Sequence, residues 1–129
     1  LELRREHAPV GLIDWDAEFR VLSWNPAAER IFGYAAAAAI GQHASILDTD
    51  DPAAPSVGIL AGLMSGRIGH RRTYRNRTAD GRVIECEWYN TPLVGDDGGV
   101  IGIASIVHDV SSHVRAEAAL RASEARMDR

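Results

Sequence analysis

The feature that most constrains the fold is an abrupt change of hydrophobic period at Asn25-Pro26. Before it, residues 10–16 and 19–25 are two short β-prone runs that flank a polar break at Ala17-Glu18, which predicts an antiparallel hairpin. Asparagine is a good helix N-cap and proline suits the first helical position, while glycine favours a helix end. We therefore expect a hairpin followed directly by a helix over residues 26–32 that ends at Gly33.

The middle of the chain favours further helices. Residues 35–39 predict a short helix broken at Gly41, and residues 48–52 are typical of a loop. Over residues 55–65 a second amphipathic helix is predicted, closed by Gly66, because apolar residues recur at helical steps. These are Val57, Leu60, Leu63 and Met64.

The second half of the chain predicts three strands and a final helix. The strands cover residues 68–77, 82–94 and 100–107, with turns at Asp80-Gly81 and over residues 96–99. A helix starts around Asp109 or Ser111, either of which can cap it, and runs to the end. Five strands need cover on one face, and the helices between the second and third strands supply it. The predicted class is α+β, with a five-stranded antiparallel sheet and helices on one face.

Composition excludes several classes of protein. A chain of 129 residues forms one domain, and a net charge of -4 gives no general attraction for nucleic acid. The single Cys86 excludes an intramolecular disulfide and a cysteine-based zinc site, and it fits a reducing compartment. No apolar run reaches the roughly 20 residues of a membrane span. We expect a cytoplasmic protein without direct nucleic-acid binding or membrane insertion by this segment.

Six short motifs, in order, resemble the PAS domain family, the S-box type sensor domains of bacterial signalling proteins. The first is residues 22–34, Leu-Ser-Trp-Asn-Pro-Ala-Ala-Glu-Arg-Ile-Phe-Gly-Tyr. The others are Ile40-Gly41-Gln42, Asp80-Gly81-Arg82, Asn90-Thr91-Pro92-Leu93, Asp97-Gly98 and Asp109-Val110-Ser111. The resemblance covers roughly residues 9–128 of the sequence. It implies the PAS fold, a sensing or dimerising role, and an exit helix that relays the state of the domain.

The resemblance also implies a domain organisation. We expect an excised domain with a sensor core over residues 1–109, including a short N-terminal extension over residues 1–8, and a linker helix over residues 110–129. An effector domain would follow it. A histidine kinase is the first expectation, with a diguanylate cyclase or a DNA-binding regulator as the alternatives. The chain itself is not predicted to be an enzyme, because no positioned base, nucleophile or oxyanion group is evident.

The final helix has a weak coiled-coil pattern. The residues that recur at intervals of three or four positions along this helix, and so share one face, are Val110, Val114, Glu117, Leu120, Glu124 and Met127. So few large apolar residues would not stabilise a coiled coil alone, but such a seam suits a helix that changes register between signalling states. We expect a homodimer through the terminal helices, with Asp109, Val110 and Ser111 as the relay. The alternative is a capping helix packed on its own domain.

Strand alternation predicts where a ligand would bind. On the long strand, Ile84, Cys86, Trp88 and Asn90 share one face, and acidic residues mark the other face as the wetter one. The resemblance implies that the inner strand faces line the sensory pocket. The candidate ligand-binding residues are Trp88, Asn90, Tyr74, Ser105, Cys86 and His70. An aromatic wall with a few polar groups is typical of a small-molecule site. The alternative, weighed equally, is that Trp88 and Asn90 belong to a packed core; Trp15 and Trp24 are expected in the core or an interface.

The resemblance also allows cofactors to be compared. Relatives that form a cysteinyl-flavin adduct carry Gly-x-Asn-Cys, and the matching residues 41–45 contain no cysteine. Haem-binding relatives use a histidine on the long helix, and residues 55–66 contain none. Both chemistries are therefore disfavoured, as is a metal site. A small organic ligand, non-covalent flavin or no ligand stays open.

Two charged clusters could suggest other functions. Acidic residues crowd residues 48–51, and we expect them to be solvated. Arginines crowd residues 67–82, and we expect them to form the exposed face of a strand pair, neutralised by Glu85 and Glu87 across the ladder.

Overall fold

A computed structural model describes residues 10–50, 55–66 and 70–127. The strands are Gly11–Asp16 (β1), Val21–Trp24 (β2), His70–Arg77 (β3), Val83–Val94 (β4) and Val100–Asp109 (β5). They form one antiparallel sheet in the order β2-β1-β5-β4-β3. The helices are Pro26–Phe32 (α1), Ala36–Ala39 (α2), Pro55–Gly66 (α3) and Ser111–Met127 (α4), with a 3-10 helix at Ala44–Leu47. The predicted fold class and order of elements are confirmed.

Asn25 joins the hairpin to α1 as predicted. Its Oδ1 accepts hydrogen bonds from the backbone N–H of Ala28 and of Leu12, both at 2.9 Å. Its Nδ2 donates to the carbonyl of Val10 at 3.1 Å. At the other end Gly33 takes a φ of 81°, and its N–H bonds the Glu29 carbonyl. One side chain therefore caps the helix and fixes it to β1.

The first hairpin differs from the prediction at Phe19, which lies in the turn and not in the second strand. Its φ is 64°, in the left-handed region that non-glycine residues seldom adopt. The Asp16 carboxylate closes the turn, because it accepts hydrogen bonds from the backbone N–H groups of Glu18 and Arg20, each at 2.9 Å. The Phe19 ring is buried 4.7 Å from the Trp15 ring, which offsets the cost of that backbone conformation.

The predicted alternation of β4 is confirmed. Ile84, Cys86, Trp88 and Asn90 are buried, and the residues between them are not. The inner face of the sheet packs with α1, α3 and the 3-10 helix around one apolar core. Its largest fully buried side chains are those of Trp15, Phe32, Ile13, Leu63, Ile103, Val21 and Val107.

Ion pairs connect β3 and β4 on the outer face. Arg71 bonds Glu87 at 3.2 Å and Arg75 bonds Glu85 at 3.1 Å, as predicted. The prediction is wrong for two other arginines, because each has a nearer carboxylate. Arg77 pairs with Asp50 at 3.0 Å, and Arg82 with Asp80 at 2.9 Å. Arg72 shares the face of Tyr74, and Arg67 lies outside the described residues.

The last helix follows the sheet with one intervening residue. Side chains from Arg115 to Arg126 are exposed, apart from the half-buried Ser123, and Leu120 is 59% exposed. Over this stretch α4 is therefore not a packed capping helix within the single chain. None of the helices in the described part of the chain is both long and apolar enough to cross a membrane.

Candidate functional site

A cavity lies between the inner face of the sheet and the helical layer. It encloses about 320 Å³ of empty space, counting the part that opens to solvent. Its apolar wall comes from Trp15, Phe19, Ala44, Leu47, Ile59 and Trp88, and its polar groups from Asp48, Ser56, Tyr74, Asn76 and Asn90. Aromatic walls with a few convergent polar groups are typical of small-molecule sites.

A buried hydrogen-bond chain crosses the three central strands behind the cavity. Trp15 Nε1 on β1 donates to Ser105 Oγ on β5 at 2.8 Å. Ser105 Oγ donates in turn to Asn90 Oδ1 on β4 at 2.5 Å. The register places Ser105 directly opposite Asn90, so the sheet itself brings these groups together. These hydrogen bonds fix the rotamers of Trp15 and Asn90, which both line the cavity.

A second series of buried hydrogen bonds fixes the side chain of Trp88. Its Nε1 donates to Asn76 Oδ1 on β3 at 2.8 Å, and Asn76 Nδ2 donates to the Leu47 carbonyl at 3.2 Å. The Trp88 ring stacks on Phe32 of α1, with centroids 5.8 Å apart and planes 21° apart. Trp88 is therefore part of the packed core and also forms a wall of the cavity.

Asp48 holds the start of α3 against the cavity. Its carboxylate accepts from Ser56 Oγ at 2.6 Å and from the Ser56 backbone N–H at 3.4 Å. Both residues line the cavity, and Ser56 is buried. The expectation of a fully solvated acidic loop is wrong for Asp48 and holds for the exposed carboxylate of Asp50; Asp51 lies outside the described residues.

The structure separates the predicted site residues into three groups. Trp88, Asn90 and Tyr74 line the cavity. Ser105 lies behind Asn90 and holds it. Cys86 is buried opposite Tyr74, and His70 pairs with Asn90 at the start of β3, but neither is among the lining residues.

Cys86 and His70 differ from free side chains in their protonation. Burial, together with the negative charges of Asp109 and Glu85, raises the pKa of the Cys86 thiol. The thiol is therefore protonated and a poor nucleophile at neutral pH. Burial, assisted by the charge of Arg72, lowers the pKa of His70, whose Nε2 is buried without a hydrogen-bond partner.

His70 is expected to make the domain less stable as the pH falls from about 7 to 5. Because its folded pKa lies below the ordinary 6.5, the unfolded chain takes up a proton before the folded chain does. Stability is unaffected well above pH 6.5 and falls as the pH drops through that value toward the folded pKa. Urea titrations across this range measure the loss, and His70→Gln should reduce its slope. An NMR titration that gives His70 a pKa of 6.5 or higher would contradict the assignment.

The residues 109–111 connect the sheet to α4 through β4. Val110 N–H donates to the Glu85 carbonyl at 2.9 Å, and the Glu85 N–H donates to Ser111 Oγ at 2.8 Å. The Asp109 carboxylate accepts the Ser111 N–H at 2.9 Å. The start of α4 is therefore hydrogen-bonded to the strand that carries Trp88 and Asn90.

Several cavity residues were not identified as candidates from the sequence. Asn76 has the same strand parity as Tyr74, and this was the one signal that could have found it. Asp48 and Ser56 lie on a loop and a helix with no pattern that joins them. Trp15 was expected in the core or an interface, and it lies in the core and also lines the cavity. Among the residues with described positions, no cluster of three or more metal-binding side chains is present.

Comparisons with known proteins agree with this architecture. A family model described as "PAS fold" matches residues 2–110. The PAS domain of a Colwellia psychrerythraea protein is similar at 18% identity and a TM-score of 0.75, covering 84% of this chain and 92% of that one. A sensory box histidine kinase/response regulator from Burkholderia thailandensis E264 is similar at 24% identity and a TM-score of 0.70, covering 94% of this chain and 92% of that one. A light-oxygen-voltage domain studied with a flavin analogue is similar at 18% identity and a TM-score of 0.70, and the match covers 92% of this chain and 90% of that one. No curated protein matches the sequence significantly.

Proposed function

We propose, from the premise that the chain belongs to the PAS family, that it is a sensory domain that binds a small organic molecule and relays its presence through α4 to an effector such as a histidine kinase. The observation that carries the proposal is the position of β4. Trp88 and Asn90 of this strand line the cavity, and Glu85 of the same strand bonds the first residues of α4. A ligand that displaces β4 therefore displaces the helix start as well.

The exposed seam of α4 supports a dimeric output. Leu120 and the surrounding small side chains have no covering element over the described part of the helix. Pairing with α4 of a second copy would bury them, and a weak seam lets the pair change register at low cost. In this proposal the domain is cytoplasmic, lacks catalytic activity of its own and acts on an effector C-terminal to residue 129.

A ligand-free dimerisation or protein-interaction domain, of a diguanylate cyclase or a transcriptional regulator, is the second candidate. The observation that favours it is an apolar row across the outer face of the sheet. Leu12, Ile106 and Tyr89 pair across three strands and are 44%, 43% and 36% exposed. Such a row is typical of a surface that another protein covers.

Non-covalent flavin is the second candidate ligand, suggested by the similarity to a light-oxygen-voltage domain. The residues present fit it poorly. Trp15 and Trp88 are both buried, line the cavity and have ring centroids 6.5 Å apart, so a tricyclic ring requires them to move. FMN is therefore expected to bind more weakly than a molecule of one or two rings.

The test is native mass spectrometry of the purified chain, followed by a thermal-shift screen of aromatic compounds that includes FMN. The sensory proposal expects a bound organic mass or a rise in the melting temperature with at least one compound. A colourless, empty protein that no compound stabilises, and that dimerises through its outer sheet face, would instead establish the second candidate.

Ser111→Ala is expected to loosen the junction between α4 and the sheet, where the bond from Val110 N–H to the Glu85 carbonyl remains. The change removes the acceptor of the Glu85 N–H and should increase amide exchange of Glu85 and of the first turn of α4 by about tenfold. Ser123→Ala, later on the same helix, is the matched control and should leave this exchange unchanged. Equal exchange in the two variants would show that the junction does not depend on Ser111.

A further inference from the structure

We infer that the cavity selects a flat, neutral aromatic molecule that carries a carbonyl-type acceptor, because Trp15 and Ser105 fix the Asn90 amide with its N–H groups available to the ligand. This rests on the proposed function, since it names the chemistry of the same cavity. Asn90 would be the specificity-determining residue, and Trp15 and Ser105 would be positioning residues.

The orientation of the Asn90 amide follows from the donors behind it. An indole N–H can only donate, so Ser105 Oγ must accept from Trp15 at 2.8 Å. The hydroxyl proton of Ser105 remains to be donated, and the 2.5 Å distance from its Oγ to Asn90 Oδ1 fits an O–H···O hydrogen bond and is too short for an N–H···O one. With its oxygen bonded to the sheet, the amide presents its nitrogen on the other side.

That nitrogen lacks a partner. Asn90 is 2% exposed and lines the cavity, yet none of the residues with described positions accepts a hydrogen bond from its Nδ2. Buried amide groups are almost always hydrogen-bonded to protein, water or ligand. The Asn90 nitrogen is accessible from the cavity, so water or a ligand that carries an acceptor can complete its hydrogen bonds.

The other polar groups of the cavity are largely committed. Asn76 Oδ1 accepts a hydrogen bond from Trp88 Nε1, and Asn76 Nδ2 donates one to the Leu47 carbonyl. Both carboxylate oxygens of Asp48 accept hydrogen bonds from Ser56, one from its backbone N–H and one from its hydroxyl. Among the buried polar residues described at the cavity, Asn90 therefore keeps the most donor capacity for a ligand; the hydroxyl of Tyr74 belongs to a half-buried residue.

The walls define the rest of the ligand. The rings of Trp15 and Trp88 offer apolar faces against which a planar ligand could pack. The lining residues within the described ranges include one carboxylate and no arginine, lysine or histidine. An anionic acceptor would lack a counter-charge, so a neutral carbonyl fits better than a carboxylate or a phosphate.

Two probes of nearly equal shape test the inference, acetophenone and α-methylstyrene, in which a methylene group replaces the carbonyl oxygen. Affinities are measured by tryptophan fluorescence, and the Asn90 side-chain N–H signals are followed by ¹⁵N NMR. Acetophenone should bind about tenfold more tightly and should shift the Asn90 signals downfield. In Ser105→Ala the amide is no longer held, and the preference should fall to about twofold, whereas Ser105→Thr keeps a hydroxyl and should restore it.

The outcomes separate the inference from the proposed function. Equal binding of both probes to the unaltered chain, without a selective Asn90 shift, overturns the donor assignment and leaves the ligand cavity in place. Binding of neither probe at millimolar concentration overturns the inference, while the proposed function is decided by the compound screen described above. If Ser105→Ala does not fold, the unaltered chain and Ser105→Thr still decide the matter through the Asn90 signals.

Discussion

Replacing Trp88 with alanine is expected to lower the free energy of unfolding by about 3–5 kcal/mol. The ring is 6% exposed, stacks on Phe32 with centroids 5.8 Å apart, and donates to Asn76 at 2.8 Å. Alanine would leave a cavity beside Phe32 and would also leave Asn76 Oδ1 without its donor. Urea unfolding followed by circular dichroism measures the loss.

Two variants separate the causes of this effect. Trp88→Phe keeps an aromatic ring against Phe32 and loses the N–H, so the expected loss is about 1–3 kcal/mol. Tyr89→Ala changes the next residue, which points to the outer face and is 36% exposed, and should cost less than Trp88→Ala. A loss of under about 1 kcal/mol for Trp88→Ala would show that the ring is not part of the packed core. Trp88→Phe is also the variant in which ligand affinity can be measured with the fold intact.

Gly102→Ala is expected to destabilise the protein by about 1–3 kcal/mol. Gly102 lies in the central strand β5, opposite Asp16 of β1 and Leu93 of β4. A Cβ added there would lie 2.8 Å from the backbone oxygen of Trp15. Because the obstacle is the backbone of a paired strand and not a side chain that can rotate, the sheet itself would have to shift. Thermal and urea unfolding should both report the change.

Gly62→Ala is the matched control and should change stability in the opposite direction. Gly62 lies inside α3, and a Cβ added there meets nothing within 4 Å. Alanine favours the helix and restricts the unfolded chain, so a gain of about 0.5–1 kcal/mol is expected. If the two substitutions had the same sign, the contact with Trp15 would not be the cause of the Gly102 effect.

Local signals in the sequence were sufficient for much of the fold. Asn25, Pro26 and Gly33 determine the ends of α1 through their own backbone and side-chain chemistry, and such signals can be recognised without the rest of the chain. The inner face of β4 could be predicted for a similar reason, because strand alternation needs only its own sequence. These residues also led to the resemblance, which the family match then confirmed over residues 2–110.

The remaining features depend on contacts between distant parts of the chain. Phe19 has a backbone conformation that is paid for by its burial against Trp15 and by the Asp16 carboxylate, neither of which a β-prone sequence reveals. The Asp48–Ser56 contact crosses from a loop to a helix. The Asn76 bond to Trp88 depends on the register of β3 against β4, which fixes side-chain distances that alternation alone leaves open.

The strand order has a consequence for folding kinetics. The central strand β5 is the last to be synthesised, and Gly11 of β1 pairs with Val107 of β5. Because β1 and β4 both pair with β5, the two halves of the sheet cannot join until nearly the whole domain has left the ribosome. Pairings this distant in sequence slow folding and leave unpaired strand edges exposed meanwhile. The exit helix α4 follows β5 after one residue, so it is synthesised directly after the strand that completes the sheet.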